Sequence, residues 1–416
     1  MASVQEILSS PRIDPTFSYR PSDAKALGQD MSIQRGSAGW VRDPGTGLIK
    51  KIPSGQARIT GASQELLIEP QSYQELSSPQ NLSNSSWDKL RVNVLTNQGT
   101  EFGLDYDTLE EDTSTGTDHF LREDTFSTGF GDNIAISAIA RPNGRDWIYF
   151  QTFMQDQNSN NINGGYAWFN LQTGEAKSSN INVASVSIAN HEVDEWHGGW
   201  VRPKLTLDMP SDRRVIALYY GLANGDEVIN YDGQGSGYGV DLLHTQFASG
   251  TKIVTSPILD GSATRNEDEV KFTIPESDWN TGEGTYFLDF TLRQHPTDFP
   301  DIFSSDKAEI VIRDDGSAFA FDRVSNNISN VIGGLRPLQR NRLIVSTERD
   351  GRWGIALNGS DSQKSSSDHQ NAFVGERPNP GFLGRPGKSA AFSLQEARYL
   401  PRYLPKERRK IETALT

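Results

Sequence analysis

Apolar residues along this chain fall into short runs divided by Gly, Asn, Asp, Ser and Pro, without a long amphipathic helix between them. Residues 134–139 (IAISAI) alternate with period two and stop at Pro142-Asn143-Gly144, the pattern of a strand with one wet and one buried face. Further strands are predicted at 147–153 (WIYFQTF), 166–170 (YAWFN), 200–207 (WVRPKLTL) and 215–220 (VIALYY). Ahead of them, Leu66-Leu67-Ile68 is a short apolar strand halted by Pro70. A polar loop then leads to Trp87 and the alternating Arg91-Val92-Asn93-Val94. Trp87 at that corner reads as a core plug. In the last third, strands are predicted at 286–292, 310–313, 318–321, 342–346 and 353–359, with hairpin turns at Asp314-Asp315-Gly316 and around Asp350-Gly351. A strand at 390–393 and a helix from Pro405 to Leu415, with Pro405 in its first turn, close the chain.

The fold class this predicts is all-β: two antiparallel β-sandwiches of the jelly-roll or lectin-like kind, an extended N-terminal leader and a short C-terminal helix. The 416 residues exceed the roughly 250–300 at which single cores tend to split. The expected division is a leader over 1–63, a first sandwich over 64–262 and a second over 263–416, with residues 267–416 expected to fold when expressed alone. Pro11, Pro15 and Pro21 favour extended backbone in the leader.

Composition narrows the function classes. Without cysteine there is no disulfide framework and no thiolate metal site. The start of the chain lacks the basic and apolar regions of a signal peptide, and no apolar run approaches the ~18 residues of a membrane span. Forty Lys and Arg against 54 Asp and Glu give a net charge of −14, opposed to general nucleic-acid binding and suited to a soluble particle exterior.

Several motifs occur in an order similar to one family. Leu66-Leu67-Ile68-Glu69 precedes Leu82-Ser83-Asn84-Ser85-Ser86-Trp87. Arg141-Pro142-Asn143-Gly144, residues 167–174 (AWFNLQTG) and Gly199-Trp200-Val201-Arg202 follow, and then residues 262–268 (SATRNED) and 280–287 (NTGEGTYF). This succession resembles the carbohydrate-binding-module-like jelly rolls of bacteriophage virion proteins, and the last third resembles laminin-G or concanavalin-type sandwiches. Leu82 stands where the family has an aromatic, and the cap at Pro405 is atypical of it. The resemblance implies a non-enzymatic virion structural protein, assembled in the host cytoplasm, most simply a tail fibre or spike component contacting host-surface glycans. The alternative it leaves open is capsid decoration or cement with a purely structural role. It implies other virion proteins as partners, a homo-oligomer such as a trimer, and no membrane insertion. It also implies that the leader packs along the first sandwich; the other reading is a docking arm.

Candidate chemistry is sparse. Residues 191–197 (HEVDEWH) place two histidines six apart, not the four that put both on one helix face with a glutamate between. Asp105, Asp107, Glu110, Glu111, Asp112 and Asp118 offer the oxygen donors that Ca²⁺ takes, or form a wet loop; no other cofactor is expected. No spacing singles out a glycosidase pair, and no nucleophile elbow or P-loop appears, so no catalytic residue is assigned. The Gly-rich stretch 233–239 reads as a mobile loop at a sandwich end. Trp147, Trp168 and Trp200 are either core or sugar platforms. Trp196, set among Asp194, Glu195 and His197, is the best exposed aromatic, and Trp196, His197, Tyr238 and Asp241 form the expected glycan-binding set.

Overall fold

The computed structural model describes residues 17–19, 31–43, 45–61, 64–124, 126, 128–179, 187–225, 227–251, 253–293, 301–305, 308–313, 315–322, 327–328, 331–337, 339–348, 352–365, 381–383 and 391–414. These residues are mostly strand, in antiparallel sheets, with one α-helix among them.

The first sandwich packs two sheets. One runs Ser187–Glu195, Val201–Asp208, Ile134–Asn143, Gly239–Ser249, Leu104–Glu111, Val92–Glu101. The other runs Ala176–Ser179, Asn161–Asn170, Trp147–Asp156, Arg213–Ala223, His119–Asp124, Asp88–Leu90. Alternation decides what lies between them: Ile134, Ile136 and Ala138 join Phe150, Phe169, Leu205, Leu218 and Phe247 in the core. Trp87 plugs its corner, edge-on to Tyr220 at 5.9 Å, with its indole N–H donating to the Ser78 carbonyl at 3.0 Å.

The second sandwich has one sheet running Ser360–Ser365, Arg352–Leu357, Arg340–Glu348, Glu283–Leu292, Phe392–Leu400, Glu65–Ile68, Ile59–Thr60. The facing sheet runs Met31–Gln34, Glu269–Phe272, Gly381–Leu383, Asp301–Ser304, Ala308–Ile312, Ser317–Asp322, Asn327–Ile328. Its core includes Val270, Leu288, Phe290, Ile310 and Val345, together with Met31, Ile33, Leu66 and Ile68 from the N-terminal part of the chain.

That last contribution differs from the sequence expectation. The strand at Leu66–Ile68 forms, but it pairs with Phe392–Leu400 of the second sandwich rather than entering the first. A short apolar run announces a strand without naming its neighbour. The leader is likewise built into both bodies. Phe17–Tyr19 pairs with Phe392–Leu400, and Met31–Gln34 pairs with Glu269–Phe272. The hairpin Gly39–Arg42 with Ile49–Ile52 crosses to the first sandwich, where the Ile49 N–H donates to the Phe102 carbonyl at 2.8 Å.

A buried ion cluster ties these crossings together. Arg58 donates to Glu69 at 2.6 Å and to Asp268, Arg35 donates to Asp268 at 2.8 Å, and Arg265 lies 3.3 Å from Glu69. All five side chains are buried. Pairing of this kind is what makes buried charge tolerable. At the other end of the chain the helix is Lys406–Thr413, with Pro405 just outside it as the N-cap rather than inside its first turn. Buried Arg409 fastens it to Asp361 through two bonds, 2.7 and 3.0 Å.

Candidate functional site

The face of the Ile134–Asn143 sheet turned away from the first core carries an apolar cluster around Trp200 and, next to it, a polar patch. Alternation puts Arg202 and Lys204 there beside Ser137 and Gln246, while Val201, Leu205 and Leu207 point into the core. The connection through Ser256 and the end of the Glu283–Leu292 strand face it, and a cavity of about 690 Å³ lies between. The leader hairpin contributes Arg42 and Asp43, and the turn after Ser187–Glu195 contributes Trp196.

Trp196 is half-buried. Its ring meets Phe102 edge-on at 5.3 Å, and the Arg42 guanidinium sits 5.6 Å from its centroid. The turn is shaped by Gly198 and Gly199, both at positive φ, and closed by the Trp196 N–H donating to the Trp200 carbonyl at 2.8 Å.

Most charges at the cavity are already committed. Lys204 pairs with Glu192 at 3.1 Å and with Asp194. Glu69 serves Arg58 and Ser256, and the positive field of Arg58 and Arg265 with the Ser256 bonds outweighs burial and lowers its carboxyl to about 2. Asp43 bonds Lys50 at 2.8 Å, which with Thr46 holds its carboxyl well below the usual carboxylate range. Arg293 pairs with Glu65 at 2.9 Å. Arg202 is different. It is buried, and among the described residues its guanidinium donates only to neutral groups, Ser137 Oγ at 3.0–3.2 Å and Gln246 Oε1 at 3.1 Å. Burial lowers its pKa to about 10, against the opposing pull of Asp194 and Glu69.

Of the four residues expected to bind glycan, Trp196 lines this cavity and His197, Tyr238 and Asp241 do not. His197 is exposed at the same turn. Tyr238 is 41% exposed and lies under Arg145, 5.3 Å from its ring centroid, at the same end of the sheet but beyond the Ile134–Asn143 strand. Asp241 is buried, and its oxygens accept bonds from Thr108 at 2.6 Å, Arg141 at 2.7 Å and Asn143 at 3.0 Å. A carboxylate so occupied braces the sheet end and offers nothing to a sugar, so the direct role expected of Asp241 is replaced by a structural one.

Other sequence readings shift similarly. The run from His191 to Glu195 is strand, which sets it further from a helical metal motif, and burial lowers the pKa of His191. The 233–239 loop is pinned, because Glu110 accepts from Gly237 N–H at 2.9 Å and Glu111 from Gln234 N–H at 2.6 Å. Among the acids of 105–118, Asp105 bonds Thr100, Asp107 bonds Leu82 and Asn97, Glu111 bonds Arg145 and Asp118 bonds Arg91. No group of three or more His, Asp or Glu gathers as for a metal among the described residues. Trp168 and Trp200 are buried, yet outside the inter-sheet core. Trp168 stacks on Tyr166 at 5.5 Å on the outer face of one sheet, and Trp200 packs with Phe102 and Tyr106 on that of the other. Trp147 packs, half-buried, beside Trp168. The sequence reading missed Arg42, Arg202 and Lys204; the alternation of 200–207 held a signal, placing Arg202 and Lys204 on one face.

No protein-family model matches this chain, and no curated protein matches it. Part of the structure is similar to the receptor-binding domain of botulinum neurotoxin mosaic serotype C/D, at 8% identity over 35% of this chain and 39% of that one, TM-score 0.29. It is similar likewise to the binding domain of botulinum neurotoxin DC in complex with rat synaptotagmin II, at 11% identity over 35% and 40%, TM-score 0.29. For the serotype D binding domain the identity is 10% over 35% and 40%, TM-score 0.29. The chain thus covers about two fifths of the length of those domains.

Proposed function

We propose that this chain is a non-catalytic binding protein that holds a glycan in the cavity between its two sandwiches, and that it does so on the surface of a bacteriophage particle. The placement of Trp196 carries the reading. A half-buried indole at the wall of a cavity of about 690 Å³ supplies a ring face, and part-exposed Thr291 on the same lining, whose hydroxyl accepts from Gln395 at 2.8 Å, supplies an O–H as a polar partner. Pyranose recognition needs that combination. Hydrolysis needs two carboxylates free to flank one bond. Here Glu69, Asp194 and Asp43 are engaged by cations, which favours binding over cleavage. The virion setting rests on the ordered sequence motifs alone.

A glycan array probed with the full chain tests this, followed by titration of the best ligand with indole fluorescence as the readout. A saturable change in fluorescence without release of reducing ends is the expected result. Absence of binding to every glycan would overturn it.

One observation favours the second reading, a structural joint. Val92–Glu101 forms the edge of its sheet, and among the described residues nothing pairs with its outer side. It carries no Lys or Pro and exposes Leu95, and although a bulge around Asn97 interrupts it, the run Val92–Leu95 is open to pairing with another strand. Assembly through this edge would give the homo-oligomer or virion contact that the motifs imply.

A further inference from the structure

Six cationic side chains are buried among the described residues: Arg35, Arg58, Arg202, Lys204, Arg265 and Arg409. Five have a carboxylate within ion-pair distance: Asp268 for Arg35 at 2.8 Å, Glu69 for Arg58 at 2.6 Å, Glu192 for Lys204 at 3.1 Å, Glu69 for Arg265 at 3.3 Å and Asp361 for Arg409 at 2.7 Å. Arg202 has none among the described residues, although Lys204, two places along the same strand, has two. A buried guanidinium without a counter-charge is costly, and a carboxylate arriving from outside would offset that cost. Its Nε and Nη2 are occupied by Ser137 and Gln246, and Nη1 makes no bond among the described residues.

Arg202 lines the cavity, and so does Arg42, whose Nε reaches the Gly47 carbonyl at 3.2 Å and which also lacks a carboxylate partner among the described residues. Against them the lining holds one acid without an ion pair among the described residues, exposed Glu195. The formal charges of the lining balance, Arg42, Arg202, Lys204 and Arg293 against Asp43, Glu69, Asp194 and Glu195, and among the described residues Arg42 and Arg202 are the two cations of the lining without an ion pair.

We propose that the cavity selects a carboxylate-bearing sugar, a uronic or nonulosonic acid residue, with its carboxylate on Arg202 Nη1 and its ring against Trp196. The inference deepens the glycan reading and rests on it for the ring. Arg42 adds a second donor at the mouth, and its position over Trp196 lets it close on the ligand from the leader side. The Arg202 contact supplies selectivity because a neutral sugar would leave the guanidinium desolvated and uncompensated.

The test is calorimetric titration of the full chain with sialyllactose and with oligosaccharides of galacturonate and of glucuronate, each beside its carboxyl methyl ester. At least one acid should bind roughly 10- to 100-fold tighter than its ester, the range of a charged hydrogen bond. Arg202→Gln should erase that preference. Arg202→Met, an apolar replacement of an unpaired buried charge, should erase it while keeping or raising the melting temperature, which separates loss of selectivity from misfolding. Arg42→Gln, at a part-exposed position, should weaken the preference with no effect on folding. Equal binding of acid and ester overturns the inference and leaves the glycan reading standing. Binding of neutral or sulfated sugars in place of every carboxylated one overturns the carboxylate assignment. No binding by any sugar overturns both.

Discussion

Arg35 and Asp268, 233 positions apart, meet in a buried ion pair with Nη1 2.8 Å from Oδ1. Asp268 also accepts from Arg58 and from the backbone N–H of Glu69 at 3.0 Å, so one carboxylate gathers the leader, the strand after it and the start of the second sandwich. Asp268→Ala should cost about 3–5 kcal/mol, because it strands buried guanidinium groups. Chemical denaturation read by tryptophan fluorescence would measure it; a cost below about 1 kcal/mol, the level of an exposed pair, would mean that the cluster is solvated.

The leader is structural to the second sandwich. Met31, Ile33, Leu66 and Ile68 belong to its core, and Glu65–Ile68 is an inner strand of its sheet. Residues 267–416 expressed alone should therefore aggregate or stay unfolded, opposite to the expectation from sequence. Co-expression with residues 1–75 should restore a soluble complex. A stable, monomeric 267–416 fragment with a cooperative melt would contradict this.

Acid should destabilise the protein in two steps. Burial holds His244 near about 3 against an ordinary 6.5, so the unfolded chain takes up a proton that the fold refuses, and stability falls as the pH drops from about 6.5 towards about 3. The pairing with Arg58 and Arg265 overcomes burial and holds Glu69 at about 2 against 4.5, so its contribution is present above about 4.5 and lost as the pH falls through about 2. His244→Gln should flatten the melting-temperature profile between about pH 6.5 and 4.5 and leave the lower step. An unchanged slope in that upper range would show that His244 is not buried neutral.

Gly144 sits at φ +85°, and a β-carbon there would lie 2.0 Å from the Gly237 carbonyl oxygen. Gly144→Ala should cost roughly 1–3 kcal/mol and push the loop that carries Tyr238 away from the sheet. Because Tyr238 stands outside the cavity, glycan affinity should not change. A loss of affinity in a folded Gly144→Ala protein would return Tyr238 to the binding set.

Strands were legible wherever alternation was clean. Residues 134–139 and 215–220 form as read, and Trp87 plugs its corner. Their neighbours were not legible. Leu66–Ile68 looked like the entry to the first sandwich because that body follows it in sequence, yet its partner, Phe392–Leu394, lies more than three hundred residues on. The site was half legible for the same reason. Trp196 stood out as an aromatic in a polar run, while nothing in the order of residues tells that the connection through Ser256 lies opposite Arg202. Asp241 misled in the other direction, because an acid next to a glycine-rich loop suggests exposure, and only the pairing of its strand with Ile134–Asn143 and Leu104–Glu111 buries it.

Trp196→Ala, assayed for glycan binding and for melting temperature together, tests the central claim most directly. The ring makes one edge contact with Phe102 and one with Arg42, so its removal should cost about 1–2 kcal/mol of stability. Affinity should fall at least about tenfold, with Trp196→Phe keeping part of it. Unchanged affinity in a folded Trp196→Ala protein would contradict the claim that the cavity between the sandwiches is where the glycan binds.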